Sequence, residues 1–444
     1  MLTFDPPQLT RANTLDFKPP RPCHWFQNLF HLAMPLLNRH VFGRLSVQVD
    51  PDSLARLEGI RGERCLLLPN HPSEWDPCVL FEVGRRLQEH FFFVAAREVF
   101  DYSLGFRGWL FQRLGVYSLV RGSNDRKSLK TSMDILAENR GRLVIFIEGE
   151  ISNQNETLLP LESGVVQLAF MALQDCYKDA GKDLAKLPSL YVCPVGLRYV
   201  YNRTGLAATL ARSMRALETA TGIANPATTR VDRMHALARV ILDSSALQMG
   251  FELPPEAPMG EQIGALSDFM LSKLEGVINL PPDAALSRLD RVRRIRNTVD
   301  AILTCTLTRE SSAYAQRLYL HQKAVLKNFH HDLDRVVNFI AIYDGYLTPE
   351  MTEEQTVSLI RRMEKEVFGH CRTVHPRTAV VSVAEPINLR DHFEAYLADK
   401  RATVRTLTAH VERDLAGAVQ DMTKPAPQNP LLSGEGGPAE GGAG

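Results

Sequence analysis

Cys65-Leu66-Leu67-Leu68-Pro69 runs directly into Asn70-His71-Pro72-Ser73-Glu74-Trp75-Asp76. A short apolar run closed by Pro and Asn reads as a buried strand, here over 64–69. His71 then stands at the strand's end, where α/β proteins place their chemistry. An aspartate five residues on that reaches the imidazole fixes its tautomer and raises its basicity. That pair can take a proton from a hydroxyl. Ser73 with Asp76 also fits a helix-capping box, Ser at N-cap and an acid at N3. Capping accounts for Asp76 without chemistry, but not for two polar residues, Asn70 and His71, at the mouth of a strand.

Working outward, further strands are expected at 91–96, 115–120, 142–147 and 190–195, with helices at 76–89, 126–140 and 162–179. Strands alternating with helices predict an α/β fold, a mainly parallel sheet flanked by helices. From 205 to about 370 the spacing is helical with almost no strand signal, which predicts an all-helical insertion. The strand pattern returns at 378–384 and a helix follows over 391–419. The expected organisation is a 1–44 N-terminal segment, a 45–204 core, a 205–375 helical insertion, a 376–420 completion of the core, and a Pro- and Gly-rich disordered tail at 421–444. Within the first segment, 25–42 is amphipathic, with Phe26, Leu29, Phe30, Ala33 and Leu37 at helical spacing and a kink expected at Pro35. It reads either as a helix lying in a membrane interface or as one packed on the core.

Composition narrows the class. The 444 residues allow two or three domains at roughly 150 residues each. Hydrophobic residues are 45% and charged residues 23%, ordinary for a core-forming globular chain. The formal net charge of zero gives no reason to expect nucleic-acid binding. Seven scattered cysteines fit reduced thiols in a cytosolic setting. The N-terminus lacks the apolar stretch of a signal peptide, and no run reaches the ~18 apolar residues of a membrane span. A lipid substrate would then be met at the membrane surface.

Three more elements stand at strand ends. Arg121-Gly122 follows the strand at 115–120, and an arginine there is a natural bidentate phosphate ligand. Phe146-Ile147-Glu148-Gly149-Glu150 closes the strand at 142–147, with Gly149 allowing close approach of a ligand. Cys193-Pro194-Val195-Gly196 closes the strand at 190–195. Each alone reads equally as a turn or a surface ion pair. Their order and spacing with Asn70, His71 and Asp76 resemble the four sequence blocks of the glycerolipid acyltransferases, the family of the 1-acylglycerol-3-phosphate acyltransferases with its NHxxxxD and FPEG signatures. The resemblance spans roughly 45–204 and extends to 376–418.

The resemblance implies roles residue by residue. His71 would be the general base, with Asp76 orienting and charge-stabilising its imidazole. Asn70, Arg121, Glu148, Gly149 and Pro194 would bind substrate, Arg121 at the acceptor's phosphate and Pro194 at the floor of the site. The hydroxyl would attack an acyl thioester, CoA or acyl-carrier protein would leave, and neither metal nor cofactor would be needed. The implied reaction is acyl transfer to a lysophospholipid, above all 1-acylglycerol-3-phosphate, in phospholipid biosynthesis, by a cytoplasmic protein peripherally associated with the inner face of the membrane. A non-phosphate acceptor and a catalytically silent lipid-binding scaffold are the alternatives. The sequence departs from the family at Ile147, usually Pro, and at Glu150, usually a hydroxyl residue. A second carboxylate beside a phosphate site is costly unless it is paired or turned away.

Other candidates are weaker. Ser73 as a nucleophile lacks a G-x-S-x-G elbow. His370, Cys371 and His375 lack a clear fourth ligand for zinc. His330-His331-Asp332 reads as a solvated helix face. The bulky segment 106–111 would line an acyl-chain groove, dip into lipid or form a buried helix, with Trp109 as its marker.

Overall fold

A computed structural model describes residues 17–422 apart from 102–104, 121–124, 153, 156–157, 225–228, 284, 305–311, 343–350 and 374. The expected tail at 423–444 therefore lies outside the described residues. Eight strands form one sheet: β1 (Leu45–Val49), β2 (Arg64–Pro69), β3 (Phe91–Ala96), β4 (Val116–Leu119), β5 (Arg142–Val144), β6 (Leu190–Tyr201), β7 (Arg377–Val383) and β8 (Ile387–Asn388). Their order is β1-β7-β6-β2-β5-β3-β4, with β8 on β6. The pairs from β4 through to β6 are parallel, as is β1 with β7, whereas β6 runs antiparallel to β7 and β8.

β2 is central because its apolar run supplies both faces. Cys65 and Leu67 pack on one side of the sheet, Leu66 and Leu68 on the other. Burying each leucine contributes roughly 1.5–3 kcal/mol. The first face is covered by α1 (His24–His40), α3 (Asp76–Leu87) and α4 (Phe106–Arg113). The second is covered by α5 (Arg126–Ala137), α6 (Ser163–Asp179) and α14 (Lys400–Asp421). Continuous apolar strands covered on both faces are what a parallel sheet requires. β7 instead alternates buried and half-buried residues, as an antiparallel strand with a less covered face does.

β6 is twice the expected length because it serves three partners. Its first half pairs with β2, Arg64 facing Leu190 through to Pro69 facing Val195. On the other side it pairs with β8 at Tyr191 and Val192, then with β7 from Val195 to Tyr201. Pro194 sits between those two pairings, where its missing N–H interrupts no ladder, while its carbonyl accepts from Ala384 N at 3.0 Å. β5 is shorter than expected, yet Ile145 N and Ile147 N still donate to Leu67 O and Pro69 O at 3.1 Å. Three elements had no sequence expectation: β1, β8, and α2 (Pro51–Gly59), which starts at the cap Asp50 with Pro51 in its first turn.

Between β6 and β7 lie α7 (Leu206–Thr221), α8 (Arg230–Met249), α9 (Met259–Val277), α10 (Arg288–Thr304), α11 (Ala313–Ile342) and α12 (Glu353–Phe368). They bury two apolar clusters of their own. α9, α10 and α11 share one, and α7, α8 and α12 share the other with Tyr201 at the end of β6. The extra helices are thus anchored where the longest strand projects past its parallel neighbour.

Candidate active site

β2 stops at Pro69, and Asn70 keeps the chain alongside β6. Its N–H donates to Val195 O at 3.3 Å, its Nδ2 donates to Leu197 O at 3.0 Å and its Oδ1 accepts from Leu197 N at 2.7 Å. The residue is buried. Expected at the acceptor, Asn70 engages both ends of its amide within the protein and fixes the exit of β2.

His71 follows, with its side chain 15% exposed and Nδ1 2.7 Å from Asp76 Oδ2. Its ring stacks on Phe146, centroids 4.1 Å apart and planes 19° from parallel. Asp76 is fully buried. Its Oδ2 also accepts from Ser73 N at 2.8 Å, and its Oδ1 accepts from Tyr199 Oη at 2.5 Å. Three donors meet the need of a buried carboxylate for compensating hydrogen bonds. Burial, and then the Asp76 charge, hold the Tyr199 phenol well above its ordinary pKa, so it remains a donor. With Asp76 accepting at Nδ1, the proton sits there and Nε2 keeps the lone pair.

The capping expectation is half met. Asp76 reaches back to Ser73 N–H, but α3 begins at Asp76 itself, behind Trp75, without a side-chain cap bond. Ser73 Oγ accepts from Trp75 N at 3.3 Å instead. The carboxylate is drawn from a capping geometry into one that serves His71 and Tyr199.

Glu148 lies under the dyad. It is fully buried, with Oε1 accepting from His71 N at 2.6 Å and Oε2 from Leu159 N at 2.9 Å. Burial outweighs these two donated bonds and raises its carboxyl from 4.5 to about 7. Glu148, expected to bind the acceptor, grips the backbone of His71, a positioning contact. Gly149 takes φ +70°, and a Cβ there would lie 3.3 Å from Glu162 Cγ, so the turn favours glycine on both counts. Arg121 lies outside the described residues.

Glu150, the departure in the third block, is buried and ion-paired with Arg296 of α10, which also bonds Asp334 at 2.8 Å. Arg293 of the same helix donates to Glu148 O at 2.7 Å and to Pro160 O at 2.8 Å. The carboxylate is paired, which answers the electrostatic objection it raised. Helix α10 thereby holds the loop that holds His71.

Residues 50–198 match the model of the family described as Acyltransferase. Over these residues the chain is similar to that family. No curated protein matches the chain. The acyltransferase match takes in His71, Asp76, Glu148, Gly149 and Pro194 and ends one residue before Tyr199. Tyr199 and Phe146's stacking role had no sequence expectation. The alternation Cys193, Val195, Leu197, Tyr199, all in one buried cluster, is the signal that would have placed Tyr199 on the dyad's face. The long-range arginines of α10 left no local signal.

Among the other candidates, His375 Nε2 lies 2.6 Å from Asn202 O and His370 Nδ1 2.9 Å from Phe368 O. His330 Nε2 pairs with Asp300 Oδ1 at 3.2 Å, so it faces a neighbouring helix rather than water alone. Segment 106–111 forms the start of α4, with Phe106 and Trp109 exposed.

Proposed function

We propose that the acyltransferase domain moves a fatty acyl group from an acyl thioester, of CoA or acyl-carrier protein, to the hydroxyl of a lysophospholipid, with 1-acylglycerol-3-phosphate as the first candidate. The observation that carries the reading is the His71–Asp76 contact at the end of β2. Nε2 of His71 takes the hydroxyl proton as the oxygen attacks the thioester carbonyl. Asp76 stabilises the imidazolium that forms, and the proton then passes to the departing thiolate. The acyl group goes straight to the acceptor oxygen, so no covalent acyl-enzyme forms.

The setting proposed is a membrane surface. On α1, Phe26, Phe30, Met34 and Leu37 pack inward. Trp25, Leu29, Leu32 and Leu36 recur along the opposite side and are exposed, Leu32 by 78%. Phe26 meets Trp109 of α4 edge-on at 5.7 Å, and Trp109 stacks with Phe106 at 5.8 Å. An apolar stripe continued by exposed aromatics suits partial insertion into the headgroup boundary. The inward face fits packing on the core, and the exposed stripe supports the interfacial reading. Among the described residues, no helix is long and apolar enough to cross a membrane.

The test is a panel of acceptors given with labelled acyl-CoA to the purified protein: 1-acylglycerol-3-phosphate, other lysophospholipids and monoacylglycerol. The expected result is acylated product, most from the phosphate-bearing lipids. Vesicle binding without transfer to any acceptor would favour the scaffold instead.

A further inference from the structure

Two asparagines stand in for a strand along one edge of β6. β2 ends at Pro69, opposite Val195, while β6 runs on to Tyr201. Leu197 and Tyr199 are buried there, and a buried main-chain N–H and C=O need partners. The amide of Asn offers an acceptor and a donor side by side, which meets both at once. Asn70 does this for Leu197. Asn155, buried in the connection from β5 to α6, does it for Tyr199. Its Oδ1 accepts from Tyr199 N at 2.9 Å, and its Nδ2 donates to Tyr199 O at 2.7 Å.

The two clamps differ in what they hold. Leu197 packs into the core, so the Asn70 clamp secures the strand. Tyr199 carries the phenol that donates to Asp76 Oδ1 at 2.5 Å. Asn155 therefore holds both main-chain groups of the residue that holds the carboxylate. The same connection reaches the other member of the dyad. Glu148 Oε1 accepts from His71 N at 2.6 Å, and Ser152 N donates to His71 O at 2.9 Å. The connection is also tied at its ends. Glu162 N donates to Ile147 O at 2.9 Å, and Arg293 of α10 donates to both Glu148 O and Pro160 O. Satisfying buried main chain would account for the Asn155 clamp alone. It does not account for one segment gripping His71 and Tyr199 at both main-chain groups of each.

We infer that Asn155 is a positioning residue of the dyad, setting Asp76 against the His71 imidazole through the Tyr199 phenol. The effect on rate rests on the acyl-transfer reading; the geometry does not. A displacement of about 1 Å at reacting groups can cost about 10²-fold in rate. Asp76 keeps its contacts with His71 and with Ser73 N, so the displacement is partial and the expected loss is smaller.

The experiment compares the full-length wild type with Asn155→Ala, Tyr199→Phe and the double variant, Asn155→Ser replacing Asn155→Ala should that variant fail to fold. With labelled acyl-CoA and 1-acylglycerol-3-phosphate, Asn155→Ala is expected to lower kcat about three- to tenfold, with both KM values within about twofold of the wild type. The double variant is expected within about twofold of the slower single variant, because both changes break one chain of contacts. An unchanged kcat, or losses that multiply in the double variant, would overturn the inference. A second readout needs no turnover. The NMR resonance of His71 Nδ1 is expected to move in the same direction in Asn155→Ala and in Tyr199→Phe. A resonance that Asn155→Ala leaves in place would overturn the positioning role. A wild type that transfers no acyl group to any acceptor but shows the shared shift would sink the acyl-transfer reading and leave the positioning role standing.

Discussion

The sheet and the helical block between β6 and β7 hold the site by different means. On the sheet side, the dyad is met by main chain, by a neutral hydroxyl and by one buried carboxyl. His71 N rests on Glu148, while Asp76 accepts from Ser73 N and Tyr199 Oη. On the helical side, the contacts are charged. Arg293 and Arg296 reach from α10 to the Glu148–Glu150 turn. The sheet can define where the histidine is with little sensitivity to salt, because short-range hydrogen bonds set it. The insertion adds charge, which acts through desolvated pairs. The sheet thus positions His71 and the helical block grips the loop beneath it.

The largest expected effect on this contrast is at Asp76. Asp76→Asn keeps the shape but loses the charge that stabilises the imidazolium, so kcat should fall roughly 10²–10⁴-fold. Circular dichroism should be unchanged, and a loss under tenfold would remove Asp76 from the mechanism. Next is Arg296→Ala, which leaves the buried Glu150 without its partner and should cost roughly 3–5 kcal/mol in denaturant unfolding. Replacing both by methionine should recover most of that loss, and no recovery would mean the pair is not the cause.

Glu148 comes third. Its raised pKa means that the folded protein holds the proton more tightly than the unfolded chain. The stabilisation is therefore complete below about pH 4.5 and is lost as pH rises through about 7. The wild type should accordingly lose stability across that window relative to Glu148→Gln. The glutamine variant should itself be destabilised by about 1–3 kcal/mol, since an amide cannot accept from both His71 N and Leu159 N. A wild type that gained stability over the window relative to the variant would reverse the assignment. The smallest effect on rate is expected at Tyr199→Phe, which takes a donor from the buried Asp76 and should cost about 1–3 kcal/mol in stability, with a modest rate loss from a less fixed Asp76. A loss as large as that of Asp76→Asn would mean that the phenol is part of the chemistry.

Legibility in the sequence followed the same divide. β2 was readable because a run of consecutive apolar residues can only be buried on both faces, and His71 and Asp76 were readable because they sit at its end. The antiparallel sense of β7 was not, since the pattern at 377–383 is the same whichever way the strand runs. β1 escaped because five alternating residues at an edge carry little signal. Glu150 was legible as an anomaly, and its resolution was not. Its partner Arg296 lies 146 residues further along the chain, in a helix whose own periodicity gives no hint of the loop it touches. Pro194 reads in the sequence as a turn residue, but in the sheet it marks the point where β6 changes partners.

The central claim is that the His71 imidazole removes the acceptor's proton. The most direct measurement is the rate of acyl transfer from labelled acyl-CoA to 1-acylglycerol-3-phosphate by the wild type and by His71→Ala, with thermal unfolding to verify the fold. The account predicts an active wild type and a variant slowed by about 10²–10⁴-fold at an unchanged melting temperature. Equal rates in the two proteins would contradict it.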